Sequence, residues 1–139
     1  MTATVLYRIA AVLFLLFATG HTLGFLNFKP ANQEGVAVFE GMTKVRLAIG
    51  NGQRTYNDFY RGFGLYCTAY LLFAAYLAWF LGGLARSNPA AVGTLGWAFF
   101  VLQLVSLGLS WIYFLPPPVI LSVLVSICTG WAAWLVKAA

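Results

Sequence analysis

Apolar residues fill long stretches of this chain, and charged residues stand only between those stretches. Three intervals carry no charged side chain: 20 residues from Ile9 to Phe28, 24 from Gly62 to Ala85, and 50 from Ser87 to Val136. A helix needs about 20 apolar residues to cross the hydrocarbon core of a bilayer. The pattern therefore predicts membrane-spanning α-helices.

The third interval is too long for a single crossing. One helix of that length would extend about 75 Å, whereas the hydrocarbon core is about 30 Å thick. Pro116-Pro117-Pro118 lies near the middle of the interval. Consecutive prolines lack N–H donors and push the residue before them out of the α-helical region. We predict a turn at the prolines, so that the chain crosses the membrane four times.

These spans define the predicted fold class: an all-α bundle of four transmembrane helices with a structured first loop, in one membrane domain of residues 1–139. A loop of residues 29–55 joins the first two spans, and an even number of crossings places both termini on one side. The four predicted spans are 5–28, 56–85, 90–115 and 118–137.

The first loop has a pattern of its own. Val36, Phe39 and Met42 recur every three residues, which favours a short amphipathic helix lying against the bundle or the headgroups. Alternating residues from Val45 to Ile49 then precede Gly50-Asn51-Gly52, a strong turn signal. We expect a small extended or hairpin segment there.

Composition agrees with a membrane protein. Hydrophobic residues make up 62% of the chain and charged residues 8%, against about 25% charged in soluble domains. The net charge of +5 comes from basic residues that flank the apolar stretches, which is typical of membrane anchors and does not predict nucleic-acid binding. We expect a multi-pass protein of the bacterial inner membrane and favour cytoplasmic termini, although basic residues are nearly balanced between the two sides.

The cysteines do not suggest chemistry. Cys67 and Cys128 fall inside apolar stretches, without CxxC or zinc spacing. We interpret both as small buried apolar residues, which could form a disulfide only if the second and fourth spans touch at their level. No metal and no cofactor is predicted.

A histidine near the end of the first span is the first candidate for function. His21 is the only histidine, and it lies between Gly20 and Gly24, a GxxxG pair that favours close helix packing in lipid. Polar residues at this depth usually face other helices and need partners. His21 could bond a neighbouring helix, contact a ligand, transfer a proton or, least expectedly, bind haem.

The start of the second span is the second candidate. Asp58, Gly62, Tyr66 and Tyr70 follow i, i+4 spacing, so that one helix face runs from a carboxylate through a gap to two phenols. Asp58 can also pair with Arg61 at i, i+3. The alternatives are a helix start with an interfacial ion pair, or the polar mouth of an aromatic pocket.

Polar stripes follow the last two spans. They favour hydrogen bonds between helices, and Gln103 is the one carboxamide deep in a span. Their members are Gln103, Ser106, Ser110, Tyr113, Ser122, Ser126 and Thr129.

Together these residues predict a ligand pocket that opens toward the long loop and is covered by it. The expected ligand-binding residues are His21, Asp58, Arg61, Tyr66, Gln103, Trp111 and Tyr113.

The sequence Gly20–Phe25 (GHTLGF) followed by Asp58–Leu65 (DFYRGFGL) resembles an uncharacterised family of small bacterial four-helix membrane proteins. The plan of four spans with a long first loop is more distantly similar to DoxX-like proteins and to the EXPERA and sigma-2 group. EXPERA proteins carry acidic residues inside the bundle. Within the predicted spans of this chain, Asp58 is the only acidic residue, and it lies near a helix end. Isomerase chemistry therefore does not follow from the resemblance.

Three functions compete. The first is a non-catalytic module that binds a hydrophobic small molecule or serves as an accessory subunit, in a homo-oligomer or a larger membrane complex. The second is an enzyme acting on a lipid, isoprenoid or quinone, with His21 and Asp58 as acid and base. A channel or transporter is third, because the sequence shows no charged ring or inverted repeat.

Overall fold

A computed structural model describes residues 1–48 and 53–137, and all of its regular structure is helical. Every helix except the second is long and apolar enough to cross a membrane. The prediction of an all-α protein with four such helices is therefore confirmed. The helices are α1 (Ala3–Leu26), α2 (Gln33–Lys44), α3 (Tyr56–Ser87), α4 (Pro89–Tyr113) and α5 (Pro116–Lys137).

The turn between α4 and α5 lies at Phe114 and Leu115, before the prolines and not at them as predicted. The N–H of Phe114 closes α4 by donating to the carbonyl of Ser110 at 3.0 Å. α5 then begins at Pro116 rather than after the prolines. The first turn of a helix leaves its N–H groups unbonded, so prolines can occupy it at little cost. Phe114 and Leu115 lie outside both helices, and Leu115 is also kept from helical geometry by the proline that follows it.

The first loop contains α2 and one isolated antiparallel bridge between Arg46 and Thr55. The side chain of Asn32 caps α2 by accepting from the N–H of Gly35 at 2.8 Å. Lys44 donates to Glu40 at 2.9 Å, and this hydrogen bond lowers the pKa of that carboxyl group. The predicted turn at 50–52 lies outside the described residues.

The chain forms two compact units. The terminal unit comprises Met1–Phe17 and Leu71–Ala139, and the loop unit comprises Ala18–Tyr70. Each contains parts of α1 and α3.

In the terminal unit, glycines let large side chains of α1 approach its neighbours. A Cβ on Gly96 of α4 would lie 2.6 Å from the phenol oxygen of Tyr7, which is 0% exposed. A Cβ on Gly82 of α3 would lie 3.3 Å from the carbonyl oxygen of Thr4. The guanidinium of Arg8 stacks 3.3 Å from the ring centroid of Trp79, a cation–π contact. These contacts fix α1 in the core of the unit.

Polar side chains pair between α4 and α5. The hydroxyls of Ser110 and Ser122 are 3.1 Å apart and buried. The two helices are antiparallel, so residues equally distant from this contact lie at the same level. Ser106 and Ser126 are each four residues away, and Gln103 and Thr129 are each seven away. We call the three levels the polar rungs, which are Ser110/Ser122, Ser106/Ser126 and Gln103/Thr129.

One hydroxyl of the polar rungs has no hydrogen-bond partner. The side-chain oxygen of Ser126 is buried and unbonded, and the residue is 4% exposed. A buried polar group without a partner costs about 1–3 kcal/mol. We therefore expect Ser126→Ala to leave the thermal stability of the detergent-solubilised protein unchanged or to raise it.

Ser122→Ala is the matched comparison, because it removes a hydroxyl that is bonded. We expect it to lower stability by about 0.6 kcal/mol, the average for hydrogen bonds between membrane helices. A larger loss in Ser126→Ala than in Ser122→Ala would contradict the assignment of Ser126 as unpartnered.

Candidate functional site

In the loop unit, α1 and α3 are joined by a hydrogen bond from the histidine. His21 Nε2 lies 3.0 Å from the carbonyl oxygen of Gly64. The carbonyl can only accept, so Nε2 carries the proton in this bond. The histidine is half-buried and stacks against Phe25, with ring centroids 5.1 Å apart. His21 thus holds the end of α1 to the start of α3.

A pair of threonines forms a second link between the same helices. The hydroxyls of Thr22 and Thr68 are 2.8 Å apart, and Thr22 donates to the carbonyl of Ala18 at 2.7 Å. Either hydroxyl can donate in this pair, since each has one proton. Thr68 also lies 3.2 Å from the carbonyl of Gly64, and the two lone pairs of that oxygen can accept from both Thr68 and His21.

The close packing in this unit uses a glycine other than the predicted pair. No atom lies within 4 Å of where a Cβ would stand on Gly20 or Gly24. A Cβ on Gly64 would instead lie 2.8 Å from the ring of Phe25. The described residues of this chain therefore place no helix against the GxxxG pair, and its predicted close packing stays a prediction. The motif indicates that a helix could approach there, but not which helix does.

The carboxylate of Asp58 caps the start of α3. Oδ2 accepts from the N–H of Thr55 at 2.9 Å and from its hydroxyl at 3.1 Å. The N–H of Asp58 donates back to the hydroxyl at 3.1 Å. This reciprocal pattern is a capping box. The predicted ion pair between Asp58 and Arg61 is not formed, because Thr55 holds the carboxylate instead.

A hollow of about 450 Å³ lies along the first turns of α3. Asp58, Gly62 and Tyr66 follow one another along it at i, i+4 spacing, and nothing stands within 4 Å of a Cβ placed on Gly62. The missing side chain of that glycine opens the hollow between the carboxylate and the phenol. Its lining residues are Arg54, Asp58, Phe59, Arg61, Gly62, Phe63, Leu65 and Tyr66.

Two glycines give this part of α3 two different faces. Gly62 and Gly64 are two positions apart, which rotates them by about 200° around an α-helix. Gly64 faces α1, where Phe25 fills the space, while Gly62 faces the hollow. The segment can therefore pack against α1 on one side and hold a ligand on the other.

Of the predicted site residues, Asp58, Arg61 and Tyr66 line this hollow, whereas His21 does not. Four lining residues were not among the predicted site residues: Arg54, which precedes the helix, and Phe59, Phe63 and Leu65. The aromatic pair could have been found, because i, i+4 spacing sets Phe59 beside Phe63 just as it sets Asp58 beside Gly62.

The other three predicted site residues belong to the terminal unit. Gln103 is 1% exposed, and its amide donates to the carbonyl of Phe99 at 3.4 Å. Trp111 is 75% exposed and Tyr113 is 73% exposed, both near the end of α4. Their contact with a common ligand stays a prediction.

The described part of the chain shows neither a metal-ligand cluster nor a disulfide. Over residues 1–48 and 53–137, His, Cys, Asp and Glu form no group of three that could hold a metal ion. Cys67 and Cys128 are both free thiols and half-buried. Compared with protein-family models, curated proteins and solved structures, the chain matches none of them. Its function is therefore inferred from geometry.

Proposed function

We propose that this chain is a non-catalytic membrane module that binds a hydrophobic small molecule in the hollow at the start of α3. The observation that carries the proposal is the lining of that hollow. Charged Arg54, Asp58 and Arg61 stand together with apolar and aromatic side chains around Gly62. A concave site with an apolar wall and a few polar groups is typical of small-molecule binding.

The position of the hollow suits an amphiphile. The charged residues lie at the start of a helix that is long and apolar enough to span a membrane. Tyr66 lies two turns further along and is 80% exposed. A ligand with a polar head at the membrane surface and an apolar body in the bilayer would match both ends. We place the protein in the bacterial inner membrane with cytoplasmic termini.

The alternative, an enzyme using His21 and Asp58 as acid and base, fits this geometry less well. Asp58 Oδ2 is engaged by Thr55, and His21 Nε2 is engaged by the carbonyl of Gly64. Both groups have structural partners that account for their presence. Neither bond leaves the engaged atom ready to exchange a proton with a substrate, so binding without catalysis is the better proposal.

Filling the hollow tests the proposal. Leucine at position 62 would extend into the hollow without meeting the protein, since no atom stands within 4 Å of its Cβ. We expect Gly62→Leu to reduce retention of the co-purified small molecule about tenfold, which corresponds to about 1.4 kcal/mol of binding free energy. Native mass spectrometry of the gently extracted protein measures both the bound molecule and the oligomeric state.

Gly83→Leu is the matched control, because Gly83 lies on the same helix and also has open space at its Cβ. It should retain the ligand as the wild type does. Equal retention in Gly62→Leu and the wild type would contradict the proposal. A wild-type protein that carries no small molecule but stays bound to another protein chain would favour the accessory-subunit role instead.

A further inference from the structure

We infer that the ligand of this hollow is a membrane lipid whose headgroup carries a phosphate. This inference rests on the proposed function and specifies the chemical class of the ligand. The hollow brings two guanidinium groups, Arg54 and Arg61, beside one carboxylate, Asp58, on a wall that is otherwise aromatic and aliphatic. The charged part of the lining therefore has a net positive charge.

The two guanidiniums are available to a ligand. The chain has three acidic side chains, all in the described ranges, and neither Arg54 nor Arg61 forms an ion pair with any of them. Thr55 fixes Asp58 through two hydrogen bonds to Oδ2. The carboxylate is thereby tied to the helix start and does not neutralise either arginine by direct contact.

Guanidinium geometry favours phosphate over other polar heads. An arginine presents its N–H donors in a planar fork that matches two oxygens of a phosphate or carboxylate. Arg54 lies before α3, and Arg61 lies within its second turn, so they approach the hollow from separate segments. A tetrahedral phosphate has enough oxygens to accept from both. The bare helix end does not supply this recognition, because the capping box already engages Asp58 N–H.

The rest of the lining favours a lipid over free phosphate. Phe59 and Phe63 pack edge to face with centroids 4.6 Å apart, and both are more than half exposed. Leu65 and Tyr66 continue this surface along the helix. Free phosphate would contact only the charged part of this lining, whereas a lipid that carries a phosphate would also contact these apolar side chains through its acyl chains.

Two lipids that differ only in the phosphate provide the test. We would add phosphatidic acid, or diacylglycerol with the same acyl chains, to the delipidated full-length protein in detergent. Native mass spectrometry would measure the bound fraction. We expect the wild type to bind phosphatidic acid about tenfold more tightly than diacylglycerol. The double variant Arg54→Gln/Arg61→Gln should lose that preference while still binding both lipids weakly.

Arg86→Gln is the control, since Arg86 is an exposed arginine at the other end of α3. It should keep the wild-type preference, and all variants should melt at the same temperature as the wild type. Equal binding of the two lipids by the wild type, both lost in Gly62→Leu, would overturn the phosphate assignment and leave the proposed function intact. Binding of neither lipid would overturn the phosphate assignment alone. If neither lipid binding nor retention of the co-purified molecule changed in Gly62→Leu, both the assignment and the proposed function would be overturned.

A competition experiment distinguishes a lipid ligand from free phosphate. Millimolar inorganic phosphate should compete poorly with phosphatidic acid, because it cannot cover the aromatic surface. Displacement of the lipid by inorganic phosphate at concentrations comparable to that of the lipid would overturn the assignment to a lipid headgroup.

Discussion

Replacing Gly96 by valine is expected to destabilise the protein by about 3 kcal/mol, at the upper end of the usual cost of overpacking a core. The new Cβ would lie 2.6 Å from the phenol oxygen of Tyr7 and 3.1 Å from Cγ1 of Val92. Both neighbours are 0% exposed, so neither has open space to move into. Thermal unfolding in detergent should show a lower midpoint.

Gly108→Val is the control for this prediction. Gly108 lies on the same helix, is exposed, and has no atom within 4 Å of a Cβ. Both variants introduce the same β-branched side chain into α4, so the difference between them isolates the contact with Tyr7. Equal losses of stability in the two variants would contradict the packing described for Gly96, because the contact with Tyr7 would then add no cost of its own.

Replacing Gly64 by valine is expected to separate the end of α1 from the start of α3 within the loop unit. Its Cβ would lie 2.8 Å from the ring of Phe25, which must move away. That movement would also strain the hydrogen bond from His21 to the carbonyl of Gly64. We expect a loss of about 1–3 kcal/mol and faster hydrogen exchange in residues 18–26.

Gly62→Val is the matched variant, two residues away on the opposite face of α3. It meets no atom within 4 Å, so stability and exchange in residues 18–26 should stay close to the wild type. The two glycines should then have opposite phenotypes: variants at Gly62 lose the ligand and keep their stability, and variants at Gly64 lose stability first. The same stability loss at both positions would contradict the assignment of separate faces.

The four long helices could be predicted because they depend on the solvent rather than on contacts between helices. Charged side chains are costly in hydrocarbon, so charge-free intervals mark the spans whatever the helices pack against. The exact start of α5 was harder to predict from the sequence. Pro116 can either end a turn or open a helix, and the geometry of the preceding Leu115 decides between them.

Part of the candidate site was also visible in the sequence. The spacing of Asp58, Gly62 and Tyr66 predicted a face with a gap, and the hollow lies along that face. The capping role of Asp58 was not predicted, although Thr55 three residues earlier matches the pattern of a capping box. Arg54 could not be assigned to the site, because its position depends on the path of a loop.

The contact between α1 and α3 could not be predicted from the sequence, for a different reason. Gly20, Gly24, Gly62 and Gly64 all permit close approach, and nothing local distinguishes the one that is used. Only the position of Phe25 across the interface selects Gly64.

The spacing of the polar rungs has a consequence for how α4 and α5 come together. Their polar positions follow the same intervals, zero, four and seven residues from the Ser110–Ser122 contact. If α5 slid along α4 by three, four or seven residues, only one pair would remain level, and the other polar groups would face apolar neighbours. A single polar residue can set the register of paired helices, and here the Ser110–Ser122 hydrogen bond is lost in every shifted alignment. We therefore expect the hairpin to favour its observed alignment without needing a charged residue.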